Sequence, residues 1–187
     1  MIYLALGVLL WAMVHFIPVF LPGPRARVIS AMGEGPYKGV FALAIAASIG
    51  IIVYGWRHTD PVLLYQLPGF VRHLMMLLVF LAIVLFAAAK SRSRIRLLIR
   101  HPMLTGVLVW AGAHLLVNGD SRSLILFGGL GLWALISIFG INARDGARQS
   151  PGAPWSWGRE AVMLVGAVLV TGLLIFLHPW FTGMPVI

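Results

Sequence analysis

Six histidines are the residues of this chain best able to do chemistry: His15, His58, His73, His101, His114 and His178. Neutral imidazole is a common ligand for iron, copper and zinc. The five acidic residues are scattered, and there is no cysteine. Scattered carboxylates weaken the case for a hydrolytic zinc centre, which needs a general base beside its ligands, as in H-E-x-x-H. Absent thiols exclude disulfides, iron–sulfur clusters and covalently attached c-type haem. A flat tetrapyrrole asks for less, namely two axial ligands from different helices and an apolar slot.

His114 has the most informative neighbours. Trp110 lies one helical turn before it and Asn118 one turn after, so the three share a face. An aromatic there can pack on a bound ring, and an amide can orient a contact behind the ligand. The plainer alternative is a histidine bonded to the backbone of a neighbouring helix. His15 follows Trp11 by four residues and precedes Pro18 by three. Pro18 removes a backbone hydrogen bond, so a bend and a cavity are expected there, against the alternative of a kink with an incidental histidine. His101, in Arg100-His101-Pro102, reads as part of a basic collar opening a proline-started helix. Arg72-His73 either anchors a helix or binds an anion, while His58 and His178 lie near loops.

What positions these residues is a lipid-soluble framework. Sixty per cent of the chain is hydrophobic and ten per cent charged, where a soluble domain has about half and about a quarter. An ionisable group inside such segments is costly and points to function. Apolar stretches fall at about 2–21, 37–56, 71–90, 102–117, 123–141 and 161–178, near the roughly 20 residues that a spanning helix needs. The expectation is an all-α, polytopic membrane helical bundle of about six transmembrane helices, forming one domain over residues 1–187. The first stretch lacks a basic leader and a small-residue cleavage site, and reads as a retained helix.

Loop charge sets the orientation. Arg25, Arg27, Lys38, Lys90, Arg92, Arg94, Arg96, Arg100, Arg144, Arg148 and Arg159 fall in odd-numbered loops, against Arg57, Arg72 and Arg122 in even ones. Positive loops stay cytoplasmic, so both termini are expected outside. The net charge of +9 therefore implies contact with membrane lipid rather than nucleic acid. Several tryptophans, among Trp56, Trp110, Trp155, Trp157 and Trp180, fall near helix ends as an interfacial belt requires. Asn118-Gly119-Asp120-Ser121 reads as a tight turn and Pro151-Gly152-Ala153-Pro154 as part of a linker. Small residues at Ala42, Ala46 and Gly50, and at Gly106 and Ala113, are expected seams between helices.

The constellation as a whole resembles the NnrU family of bacterial membrane proteins and the related 15-cis-zeta-carotene isomerase. The resemblance runs nearly the full length. It includes His15, Gly33-Glu34, Leu67-Pro68-Gly69 before His73, and His178-Pro179; its most specific stretch runs from Arg100-His101-Pro102 through Trp110 and His114 to Asn118-Gly119-Asp120. The Arg-His-Pro triplet alone is shared with isoprenylcysteine carboxyl methyltransferases. The family resemblance implies a bacterial inner-membrane protein linked to denitrification, in expression or maturation of nitrite and nitric oxide reductases. The isomerase resemblance implies haem b held by two histidines, matching His15 and His114, and redox-dependent chemistry on an apolar small molecule. Entering from outside, His15 lies about 20 Å down its helix at about 1.5 Å per residue, and His114 about one turn from the outer end of its own; His73, also toward the outer face, is therefore the rival second ligand. A non-enzymatic sensor or assembly factor, and a methyltransferase built around His101, are the alternatives.

Overall fold

Backbone polar groups in hydrocarbon have no water to bond, so long apolar stretches satisfy them internally as helices. The computed structural model describes residues 1–148 and 156–183, and helices account for most of them. They are α1 (Ile2–Phe20), α2 (Pro22–Met32), α3 (Glu34–Arg57), α4 (Val71–Lys90), the single turn α5 (Ile95–Leu98), α6 (Pro102–Val117), α7 (Ser121–Asp145) and α8 (Trp157–Thr182). The protein is an all-α membrane helical bundle. Five of these helices are long and apolar enough to cross a membrane: α1, α3, α4, α7 and α8. The shorter apolar helix α6 joins the same two ends of the bundle, since it starts after the turn that closes α4 and ends at the turn that opens α7.

The expected stretches match closely, and two coincide with α4 and α6. The loop that carries Arg25 and Arg27 is instead largely helical. Pro22 and Pro24 suit a first helical turn, where an amide hydrogen would go unused, and α2 follows, with no buried residue. Its Arg25 guanidinium lies 5.3 Å from the Tyr37 ring. The linker around Pro151-Gly152-Ala153-Pro154, with Trp155, lies outside the described residues.

Neighbouring helices pack in the order α3, α1, α7, α6, α4, α8. Fully buried positions are mostly small, including Ala82, Ala88, Ala113 and Ala134, because close backbone approach holds helices together where lipid is as apolar as leucine. Gly106 serves this purpose: a Cβ there would lie 2.6 Å from Phe86. The expected seam on α3 is displaced. Ala42, Ala46 and Gly50 are exposed; α3 instead meets α1 through buried Ser48 and Gly55, where a Cβ would fall 2.3 Å from the Leu4 amide nitrogen. Spacing of small residues marks a possible seam, but rotation of the helix about its axis selects which one is used.

The two ends of the bundle are tied differently. At one end the segment between α3 and α4 lies against the α6–α7 turn. Leu64 and Tyr65 donate to Gly119 O at 2.8 and 3.1 Å, and Ser121 donates to Val62 O at 2.9 Å. Asp120 accepts from the amides of Arg122 and Ser123 and so opens α7. The Met1 ammonium joins this end through Thr59 Oγ1 at 2.6 Å. At the other end arginines reach backbone carbonyls: Arg100 to Gly146 at 2.7 Å, Arg144 to Pro18 at 2.8 Å and Arg148 to Leu98 at 3.1 Å.

Candidate functional site

His114 sits in the last turn of α6, half-buried. Its Nδ1 lies 2.9 Å from Trp110 O, one turn earlier. Nδ1 facing a carbonyl favours the tautomer in which that nitrogen donates and Nε2 keeps its lone pair, as in metal-bound histidines. The Trp110 ring tilts against the imidazole at 4.8 Å between centroids, and Phe127 stacks on it at 4.5 Å with planes 27° apart. Phe127 belongs to a π-helical turn, Leu124–Gly128, inside α7. Such turns recur at functional sites because their extra residue redirects side chains. Nothing local in the sequence marks this one.

Asn118 does not touch the ring. Its Nδ2 donates to His114 O at 2.9 Å, closing the C-terminal turn of α6. Its effect on His114 is to hold the backbone from which the imidazole projects. His178, from the last turns of α8, lies within electrostatic reach of His114, and its own Nδ1 is 3.1 Å from Thr182 Oγ1. Sequence reasoning placed His178 near a loop; the packing of α8 against α4 brings it back to the His114 end.

His15 repeats the local geometry on α1. Its Nδ1 is 2.8 Å from Trp11 O. Trp11, Trp133 and Phe41 surround the ring at centroid distances of 3.9, 5.3 and 5.7 Å. Pro18 lies inside α1, which continues through it to Phe20. Beside His15, the buried Trp133 Nε1 has no hydrogen-bond partner among the described residues, and neither does Ser137 Oγ one turn on. A buried unpaired donor costs about 1–3 kcal/mol, so an acceptor bound beside Trp133 would be favoured.

Helix α7 relates the two histidines. Val8 approaches Gly129 and Val19 approaches Gly140, which sets His15 level with Ile136, whereas His114 faces Phe127. The two levels differ by about 13 Å at about 1.5 Å per residue. Both imidazoles lean toward the N-terminus of their own helix, as their bonds to Trp11 O and Trp110 O require. Because α1 and α6 run in opposite directions, the leans converge and shorten that difference.

His73 and His58 also turn Nδ1 to a carbonyl one turn earlier but are exposed, whereas His101 bonds a neighbouring helix. His73, the rival ligand, is exposed in the first turn of α4, with Nδ1 3.3 Å from Phe70 O. Exposed His58 lies 2.9 Å from Tyr54 O and stacks on the Tyr54 ring. His101 Nε2 meets Asn142 Oδ1 at 2.9 Å, so that nitrogen serves the junction of α6 and α7. No group of three or more His, Asp or Glu residues is arranged to hold a metal ion among the described residues.

Asp120 is the charged group that governs the turn above His114. Burial opposes its ionisation, but the Ser123 hydroxyl and amide, the Arg122 amide and the Arg122 guanidinium together hold its carboxyl below the usual carboxylate range. Arg122 also lies over the Trp56 ring at 4.7 Å and donates to Thr59 O.

A model of the family described as NnrU protein matches residues 3–186. No curated protein and no solved structure matches the chain.

Proposed function

Because this chain belongs to the NnrU family, we propose that it is an integral membrane protein that binds haem b non-covalently, with His15 and His114 as axial ligands. The observation that carries this reading is the matched pair of half-buried imidazoles. Each has Nδ1 within hydrogen-bond distance of a carbonyl of its own helix, which favours a lone pair on Nε2, and the two lean toward each other along antiparallel helices. Trp110 and Phe127 on one side, and Trp11 and Trp133 on the other, supply the aromatic walls that suit a flat apolar macrocycle. The unpaired Trp133 indole N–H supplies a donor for an acceptor on a bound group.

Haem b, when bound, supplies one-electron redox chemistry and an iron whose axial ligation can change. The chain's own residues set the terms of that chemistry. Carbonyls of Trp11 and Trp110 fix the tautomer and orientation of the two imidazoles. The surrounding aromatics exclude water and lower the local dielectric, which tunes a redox centre. The role proposed for the protein is in denitrification, through expression or maturation of nitrite and nitric oxide reductases, with isomerase-like chemistry on an apolar small molecule as its enzymatic form.

Absorption spectra of the purified chain, oxidised and reduced, test the reading. The expected result is the Soret and split visible bands of a low-spin haem held by two imidazoles. Protein that is folded, expressed with ample haem and free of those bands would overturn it.

A further inference from the structure

Between α4 and α8 runs an apolar cleft of about 850 Å³, within the roughly 300–1,000 Å³ of small-molecule sites. Its polarity is divided along its length. Val79, Leu174 and Trp110 close the end nearer His114, and Ile83, Gly166 and Val170 form the walls. Lys90, Arg92 and Arg159 stand at the opposite end, all exposed. One carboxylate stands nearby, and its single negative charge is outnumbered by the three cations: Glu160 accepts from Ser93 Oγ at 3.0 Å and from the Arg94 amide at 2.5 Å. These bonds fasten the turn carrying Arg92 to the start of α8, so the cations are set at the mouth. Gly158 and Gly166 keep the α8 wall open, with no atom near a Cβ built at either position.

We propose that this cleft binds one anionic phospholipid from the leaflet at the Arg100 end, with acyl chain between α4 and α8 and phosphate at Lys90, Arg92 and Arg159. A basic pocket between membrane helices recognises such a head group by charge, while the apolar slot takes the chain. A wholly apolar ligand would make no use of the exposed Lys90 and Arg92 at the mouth, and a free phosphate would leave the apolar slot empty. The site is separate from the His15 and His114 pair, and its test does not depend on haem.

The full chain is reconstituted in nanodiscs of mixed phosphatidylcholine and phosphatidylglycerol, then released into mild detergent for native mass spectrometry. One phosphatidylglycerol retained per chain, in preference to phosphatidylcholine, is expected. Lys90→Gln, Arg92→Gln and Arg159→Gln together should lower retention about tenfold or more. Gly166→Leu, which fills open space without altering charge, should do the same. Arg25→Gln with Arg27→Gln, on α2 outside the cleft, should change it little. Equal retention of both lipids overturns the proposal. So does full retention in Gly166→Leu, which would mean that a basic surface alone attracts the lipid. An equal loss in the α2 variant would overturn it for the same reason.

Discussion

Helix α6 carries a histidine near each end, and the two are engaged in opposite ways. His101 gives its Nε2 to Asn142 of α7, within a collar where arginines tie neighbouring segments through their carbonyls. His114 turns Nδ1 to the carbonyl of Trp110 on its own helix, beneath a turn closed by backbone hydrogen bonds around Gly119. At the first end, imidazole acts as a structural link between helices. At the second, its own helix satisfies one nitrogen, and aromatics rather than polar partners crowd the ring. Residue type is the same at both ends; the difference lies in which nitrogen the surroundings consume.

The largest test of that contrast exchanges the two histidines' expected effects. His114→Ala should lower bound haem about tenfold or more, since a direct ligand is worth at least as much as the groups behind one. His15→Ala should lose haem or show an altered axial ligand in the spectrum. His101→Ala should retain normal haem and cost only about 1 kcal/mol for its bond to Asn142. Haem lost with His101→Ala but kept with His114→Ala would invert the comparison.

Next in size is the backbone closure above His114. A Cβ at Gly119 would fall 1.9 Å from Tyr65 O, so Gly119→Ala must push the Val62–Tyr65 segment away. A destabilisation of about 2–3 kcal/mol is expected, in the range for steric overpacking and lost buried bonds. The amides of Leu64 and Tyr65, which donate to Gly119 O, should exchange with deuterium much faster. Unchanged exchange would show that the closure is looser than its hydrogen bonds imply.

The smallest effect concerns charge. Asp120 has a folded-state pKa below its ordinary value, so its contribution is complete above the ordinary carboxylate pKa and fades as pH falls through the lower, folded-state one. Asp120→Ala should cost about 1 kcal/mol near neutrality, as for other lost helix caps, or about 2–4 °C in thermal midpoint for a chain of this size. The gap from the unsubstituted protein should narrow as the medium becomes strongly acidic. A gap independent of pH would assign the effect to side-chain packing instead.

Much of the fold was legible in the sequence because its causes are local. Apolar stretches of spanning length give the helices, and Pro102 and the Asn118–Ser121 turn set boundaries that the structure keeps. The helical nature of Pro22–Met32 was hidden by composition, since its prolines and glycine look like linker but suit a first turn. The site was legible in part. His15 and His114 each have the tryptophan expected one turn earlier, whereas Asn118 proves to hold His114's backbone rather than its ring.

The sequence by itself determined the membrane class, the number and extents of the apolar helices, and the histidines worth suspecting, because hydropathy, proline and i to i+4 spacing act within one helix. Tertiary structure decided the helix order, the seam that α3 uses, the stacking of Phe127 on His114, the approach of His178 and the cleft between α4 and α8. Those depend on how each helix rotates and slides against its neighbours. In lipid, apolar burial gives little preference among such arrangements, so close packing of the assembled backbones makes the choice.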